Sequence, residues 1–138
     1  MKHFEVGLED IDRVIEALLA MMQEGVIILK GDLAAGKTTF VKHLAKHLGV
    51  QEDVTSPTFS LQHCYAQTLY HYDIYNHGLE HFLSLGLLEE LEKEGLHCVE
   101  WGDESLQNIL DAAGIETVVV SIEKKENNKR EYSLEKIG

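Results

Sequence analysis

Residues 31–38 read Gly-Asp-Leu-Ala-Ala-Gly-Lys-Thr and complete the pattern G-x-x-x-x-G-K-[ST]. The apolar, β-branched run Val26-Ile27-Ile28-Leu29 precedes them, and a helix-like stretch, Thr39 to Leu48, follows. A strand that turns through such a loop into a helix constrains the fold more than any other feature of the chain. Consecutive backbone N–H groups converge at a helix N-terminus, where the macrodipole favours an anion. The expected polyphosphate donors are the backbone groups of Asp32, Leu33, Ala34, Ala35, Gly36, Lys37, Thr38 and Thr39. Lys37 is expected to reach the β- and γ-phosphates, and the Thr38 hydroxyl to ligate magnesium. An ordinary strand–turn–helix junction has no need of Lys-Thr after its second glycine.

The 138 residues suit a single domain, 1–138, with room for a substantial core. With 44% apolar and 26% charged residues, the composition is that of a folded chain. No apolar run approaches the length of a membrane span, and the N-terminal residues lack a signal-peptide core, so a cytoplasmic location is expected. The net charge of −12 argues against unaided binding to a nucleic-acid backbone. It leaves open a nucleic-acid pathway in which a basic partner makes that contact, and acidity also serves solubility. Cys64 and Cys98 form no C-x-x-C pair and are expected to be free thiols. His43 and His47, like His77 and His81, stand four apart, but neither pair has a zinc-type pattern around it.

The pattern along the chain predicts a short strand up to Val6. A helix is expected from Leu8 to about Gln23, buried through Ile11, Val14, Ile15, Leu18, Leu19 and Met22. The loop strand begins at Val26, and the helix after the loop stops near Leu48-Gly49. Phe59–Tyr65 and Thr68–Tyr72 read as a hairpin. Glu80–Leu91 has helical spacing interrupted at Gly86. Leu96–Glu100 reads as a strand, Ser105–Ala113 as a helix ended by Gly114, and Thr117–Glu123 as a strand. After a turn at Asn127-Asn128, Arg130–Leu134 pairs back. The expected class is α/β: a P-loop NTPase-like sheet flanked by helices, with a β-hairpin insertion and antiparallel C-terminal strands.

A phosphate loop alone does not determine what happens to the nucleotide; a metal must be held and a nucleophile oriented. Asp73 ends the run Leu69-Tyr-His-Tyr72, and Glu100 ends Leu96-His-Cys-Val99. A hydrophobic strand that ends in an acid suits a residue that binds magnesium or orients the attacking water. The plainer alternatives are an Asx-type turn at Asp73 and a helix cap at Glu100. Trp101, the only tryptophan, suits either the site or the core.

Gly31–Phe40, Thr55-Ser-Pro-Thr-Phe59, His71-Tyr-Asp-Ile-Tyr75 and Val99-Glu-Trp101, in this order and spacing, resemble the TsaE (YjeE) family of bacterial ATPases. The likeness runs from about Leu8 to Ile122. It implies binding and slow hydrolysis of ATP to ADP with magnesium. It also implies action on the TsaB–TsaD heterodimer, which forms threonylcarbamoyladenosine on tRNA, so that tRNA is met only indirectly. By the same resemblance, Thr55 and Thr58 belong to a switch-like segment near the γ-phosphate. Asp73 and Glu100 stand at the magnesium and attacking water, with Trp101 beside them. Two positions depart from the family. Ala34 replaces a usual glycine, which is expected to cost on the order of 1 kcal/mol if φ there is positive. Asn76 replaces a common arginine.

Arg13 and Arg130 are the only arginines and lie far from the loop in sequence. The isolated chain is therefore expected to lack an arginine at the γ-phosphate and to turn over very slowly. The same scarcity weighs against a small-molecule or nucleotide kinase, which clamps phosphates with several arginines. Asn128-Lys-Arg-Glu131 is a poor guanine-reading box and reads as a hairpin tip. A nucleotide-gated binding module without meaningful turnover is the remaining alternative.

Overall fold

The computed structural model describes residues 2–31, 36–50, 62–65, 68–73, 86–100 and 104–137. Seven strands form one sheet: β1 (Lys2–Val6), β2 (Gly25–Lys30), β3 (Gln62–Tyr65), β4 (Leu69–Asp73), β5 (Leu96–Glu100), β6 (Thr117–Lys124) and β7 (Arg130–Ile137). The helices among the described residues are α1 (Ile11–Met21), α2 (Lys37–His47), α3 (Leu87–Leu91) and α4 (Glu104–Ala112). None is long and apolar enough to cross a membrane.

The strand order is β1-β7-β6-β2-β5-β4-β3. β6, β2, β5 and β4 run parallel, with β7 antiparallel to β6, β1 antiparallel to β7, and β3 antiparallel to β4. The parallel centre is covered on both faces, which is why Val26–Leu29 and all of β5 are buried without alternation. One face carries Ile27, Leu29, Val118 and Val120 against α1 and α2. The other carries Val26, Ile28 and Val119 against Leu91 of α3 and Leu106 and Leu110 of α4. Each such side chain contributes about 1.5–3 kcal/mol by leaving water.

Local chemistry accounts for the boundaries. Ile11, Val14, Ile15, Leu18 and Met22 are buried as the helical spacing predicts, whereas Leu19 is only partly covered. The first turn of the expected helix, Leu8–Asp10, is a 3-10 turn before α1. β2 starts one residue early, at Gly25, where φ is +128° and a Cβ would stand 2.3 Å from the Glu116 carbonyl oxygen. Gly86 precedes α3 with a left-handed φ of +74°; the part of the expected helical segment before it, 80–85, lies outside the described residues. Asn127 and Asn128 both take left-handed φ, +60° and +59°, as a tight hairpin between β6 and β7 requires. The hairpin is extended by pairing with β1, a contact that no sequence pattern announces.

Candidate functional site

The topology brings one end of several strands together. β1, β2, β4, β5 and β6 all point the same way, so Val6, Lys30, Asp73, Glu100 and Lys124 end at a common sheet edge. β7 returns antiparallel and begins there, with Arg130 opposite both Lys124 and Val6. In an open α/β sheet the carboxyl edge is where loops leave room for a ligand.

β2 runs into the glycine-rich segment at this edge, and α2 emerges from it. Gly36 precedes the helix with φ +102°, a left-handed value that glycine accommodates. Lys37 is the first helical residue and is 3% exposed. A buried cation at a helix N-terminus opposes the macrodipole. Its Nζ donates to the Gly31 carbonyl oxygen at 2.7 Å, closing the two ends of the loop against each other. The first turn of α2 contains no acid. Thr38 and Thr39 are partly exposed beside Lys37. A helix end that carries no acid is a place where an anion can be accommodated.

Two strands supply the acids. Glu100 closes β5 beside Leu29 of β2, is 4% exposed, and accepts a hydrogen bond from His71 Nε2 at 2.5 Å. Asp73 is its register partner on β4; the Asp73 side chain lies outside the described residues. The backbone thus brings Asp73, Glu100 and Lys37 to one edge. Asp32, Leu33, Ala34, Ala35, Thr55, Thr58, Asn76 and Trp101 lie outside the described residues.

One expectation changes. Although Arg130 is remote in sequence, its Nε would lie 3.6 Å from a Cβ on Gly36. The antiparallel return of β7 is the reason: it starts at the edge where β2 ends. Leu8, Gly36, Thr39, Asn128, Arg130 and Tyr132 enclose a cavity of about 230 Å³. Leu8 arrives because β1 also ends at that edge. The Asn127-Asn128 turn is a hairpin tip as expected, but Asn128 also contributes to this wall. The only available signal was geometric, in that a hairpin back from the central sheet must start at its carboxyl edge.

Other candidate groups fall elsewhere. His43 and His47 both approach Asp12 of α1, His47 Nε2 at 3.0 Å and His43 Nδ1 at 3.9 Å. Burial holds the His43 pKa below its ordinary value. Among the described residues no group of three or more His, Cys, Asp or Glu could hold a metal ion. His77 and His81 lie outside the described residues. Cys64 is an exposed free thiol and Cys98 a buried one. Burial, reinforced by the Glu100 charge, pushes the Cys98 thiol far up, so it stays protonated and inert.

The family profile described as threonylcarbamoyl adenosine biosynthesis protein TsaE matches residues 7–132. The chain is 40% identical over 118 residues to a protein of Treponema pallidum named tRNA threonylcarbamoyladenosine biosynthesis protein TsaE, covering 83% of this chain and 84% of that one. The protein of the same name from Bacillus subtilis is 36% identical over 126 residues, covering 83% and 79%. The crystal structure of YdiB from Bacillus subtilis superposes with a TM-score of 0.71 at 28% identity, covering 99% of this chain and 87% of that one.

Proposed function

The chain belongs to the TsaE family of threonylcarbamoyladenosine biosynthesis, and from that premise we propose that it is a P-loop ATPase of a single domain. In this reading it binds ATP with magnesium, hydrolyses it slowly, and supports a TsaB–TsaD complex in the cytoplasm as that complex modifies tRNA. The observation that carries the reading is that β2 leads to a buried Lys37 at the N-terminus of α2 while a buried Glu100 ends the adjacent strand.

Each residue then has a task. The start of α2 receives the phosphates, and Lys37 exchanges the Gly31 carbonyl for phosphate oxygens. The cavity beside Gly36 and Thr39 takes the nucleoside end, where Arg130 supplies positive charge near the α- and β-phosphates. Arg130 starts β7, which lies on the opposite side of β2 from β5 and Glu100, so slow turnover remains the expectation despite Arg130. Among the described residues the acceptor set suits magnesium, a hard cation that takes oxygen ligands and is commonly held by one or two carboxylates plus phosphates. The Thr38 hydroxyl and the Glu100 carboxylate, with Asp73, are the residues that would hold it; bound there, the ion would neutralise charge on the phosphates. Glu100 orients a water for attack through its carboxylate oxygen. Adenine as the base, and the partner complex, follow from family membership alone.

The test is ATP turnover by the purified chain with and without the TsaB–TsaD pair, repeated with Glu100→Ala. The reading expects slow basal turnover that rises with the pair and falls with the substitution. Equal turnover in all three would redirect the search to a phosphate acceptor and a kinase.

A further inference from the structure

His71 is completely buried on β4, two residues before Asp73. Its register partner is Cys98, two residues before Glu100, so His71 lies diagonally across from the carboxylate. All these positions share the sheet face that packs against α1 and α2, where Cys98 joins the core. His71 Nε2 is 2.5 Å from Glu100 Oε2, and its Nδ1 is buried without a hydrogen-bond partner among the described residues.

The orphan nitrogen fixes the direction of the bond. A neutral imidazole carries a single N–H. Placing it on Nε2 satisfies the carboxylate oxygen and leaves a bare lone pair at Nδ1, whereas placing it on Nδ1 would bury an unmade donor and set two acceptors against each other. An orphaned buried N–H is the rarer and costlier state. Nε2–H therefore donates to Oε2. A glutamate side chain has three rotatable bonds, and fixing one costs up to about 1.5–2 kcal/mol. At Glu100 the imidazole, itself locked in the core, has already removed that freedom. The bond occupies one carboxylate oxygen and leaves Oε1 as the one available to a metal or its water.

We propose that His71 is a positioning residue, whose Nε2–H holds Glu100 in a single orientation for magnesium and the attacking water. This rests on the P-loop ATPase reading above. Partners of this kind behind a metal-binding group typically contribute 10–100-fold to affinity or activity.

The experiment compares the wild-type chain with His71→Phe, His71→Gln and His71→Asn. Three quantities are measured: the thermal midpoint, affinity for a fluorescent ATP analogue with and without magnesium, and kcat and KM with the partner pair. In His71→Phe, affinity without magnesium stays at the wild-type value. The magnesium midpoint rises, and kcat falls roughly 10–100-fold with little change in KM. His71→Gln, whose amide reaches the Nε2 position, recovers most of both; His71→Asn, one methylene shorter, does not. A folded His71→Phe with wild-type magnesium midpoint and kcat overturns the proposal. Should His71→Phe fail to fold, equal behaviour of the Gln and Asn variants overturns it instead. A wild-type chain that binds no nucleotide defeats both this inference and the function beneath it, whereas a normal wild type with an indifferent His71 defeats the inference alone.

Discussion

Two buried histidines on neighbouring strands face opposite ways and differ in how well they are satisfied. His97 of β5 faces α3 and α4. Its Nε2–H donates to the Lys93 carbonyl at 2.9 Å, its Nδ1 accepts from the Tyr72 hydroxyl at 2.8 Å, and Tyr70 stacks on it at 4.4 Å. His71 of β4 faces the other layer with one nitrogen on a carboxylate and the other without a hydrogen-bond partner among the described residues. The first has both ring nitrogens paired with neutral groups. The second is open: among the described residues its one hydrogen-bond partner is an acid at the carboxyl edge of the sheet. A buried polar group that is fully paired stabilises and specifies a fold. One left partly paired beside an acid calls for an explanation of its own.

The sharpest way to break this contrast is to strike the acid. Glu100→Gln keeps the shape and a hydrogen-bonding oxygen but removes the charge. Partner-stimulated turnover should fall on the order of 10²–10⁴-fold, as expected for loss of a group that handles a proton, while the chain stays folded. A loss below tenfold would make the open network merely structural.

Next in size is His97→Phe, which removes the Nδ1 that accepts from the buried Tyr72 hydroxyl. Unfolding in urea should show a loss of about 1–3 kcal/mol, partly restored by adding Tyr72→Phe, with turnover per folded molecule unchanged. A kinetic effect would place His97 in the site and erase the distinction.

Acid gives a smaller effect. Burial holds the His97 pKa below its ordinary value, outweighing the pull of the Lys93 carbonyl. The unfolded chain therefore takes up its proton first, near pH 6.5. The stabilisation is complete above that pH and lost as pH falls through and below it. Melting temperature should decline from pH 7.5 towards 5.5, and less steeply in the His97→Phe/Tyr72→Phe pair. The slope that remains includes His43, shifted in the same direction.

Smallest of all is Cys98→Ala, under the open network. The thiol is neutral and packed, so the expected loss is about 1 kcal/mol, with kcat and the magnesium midpoint unmoved. Alkylation of the native chain should label Cys64 and spare Cys98.

Legibility follows the range of the physics. The run Val26–Leu29, the stripe Ile11–Leu18 and the strand ending in Glu100 are written in local periodicity, so the elements and the carboxylates could be read directly. Which strands lie side by side depends on pairings between distant segments, and neither β1 on β7 nor Arg130 beside Gly36 leaves a local mark. His71 stood in plain view within a motif, but its value depends on a diagonal contact to a strand 29 residues later.

The pairing of β1 with β7 has a consequence for timing. Leu8 and Arg130 face each other across the same cavity, yet one is made near the start of translation and the other near its finish. At about 5–20 residues per second, on the order of ten seconds pass between them. Throughout that interval the first strand lacks β7, its neighbour among the described strands, and the cavity proposed to take the nucleoside has only one side. A nascent chain on the ribosome, however far its central sheet has advanced, should not retain nucleotide until the last hairpin has closed on the first strand.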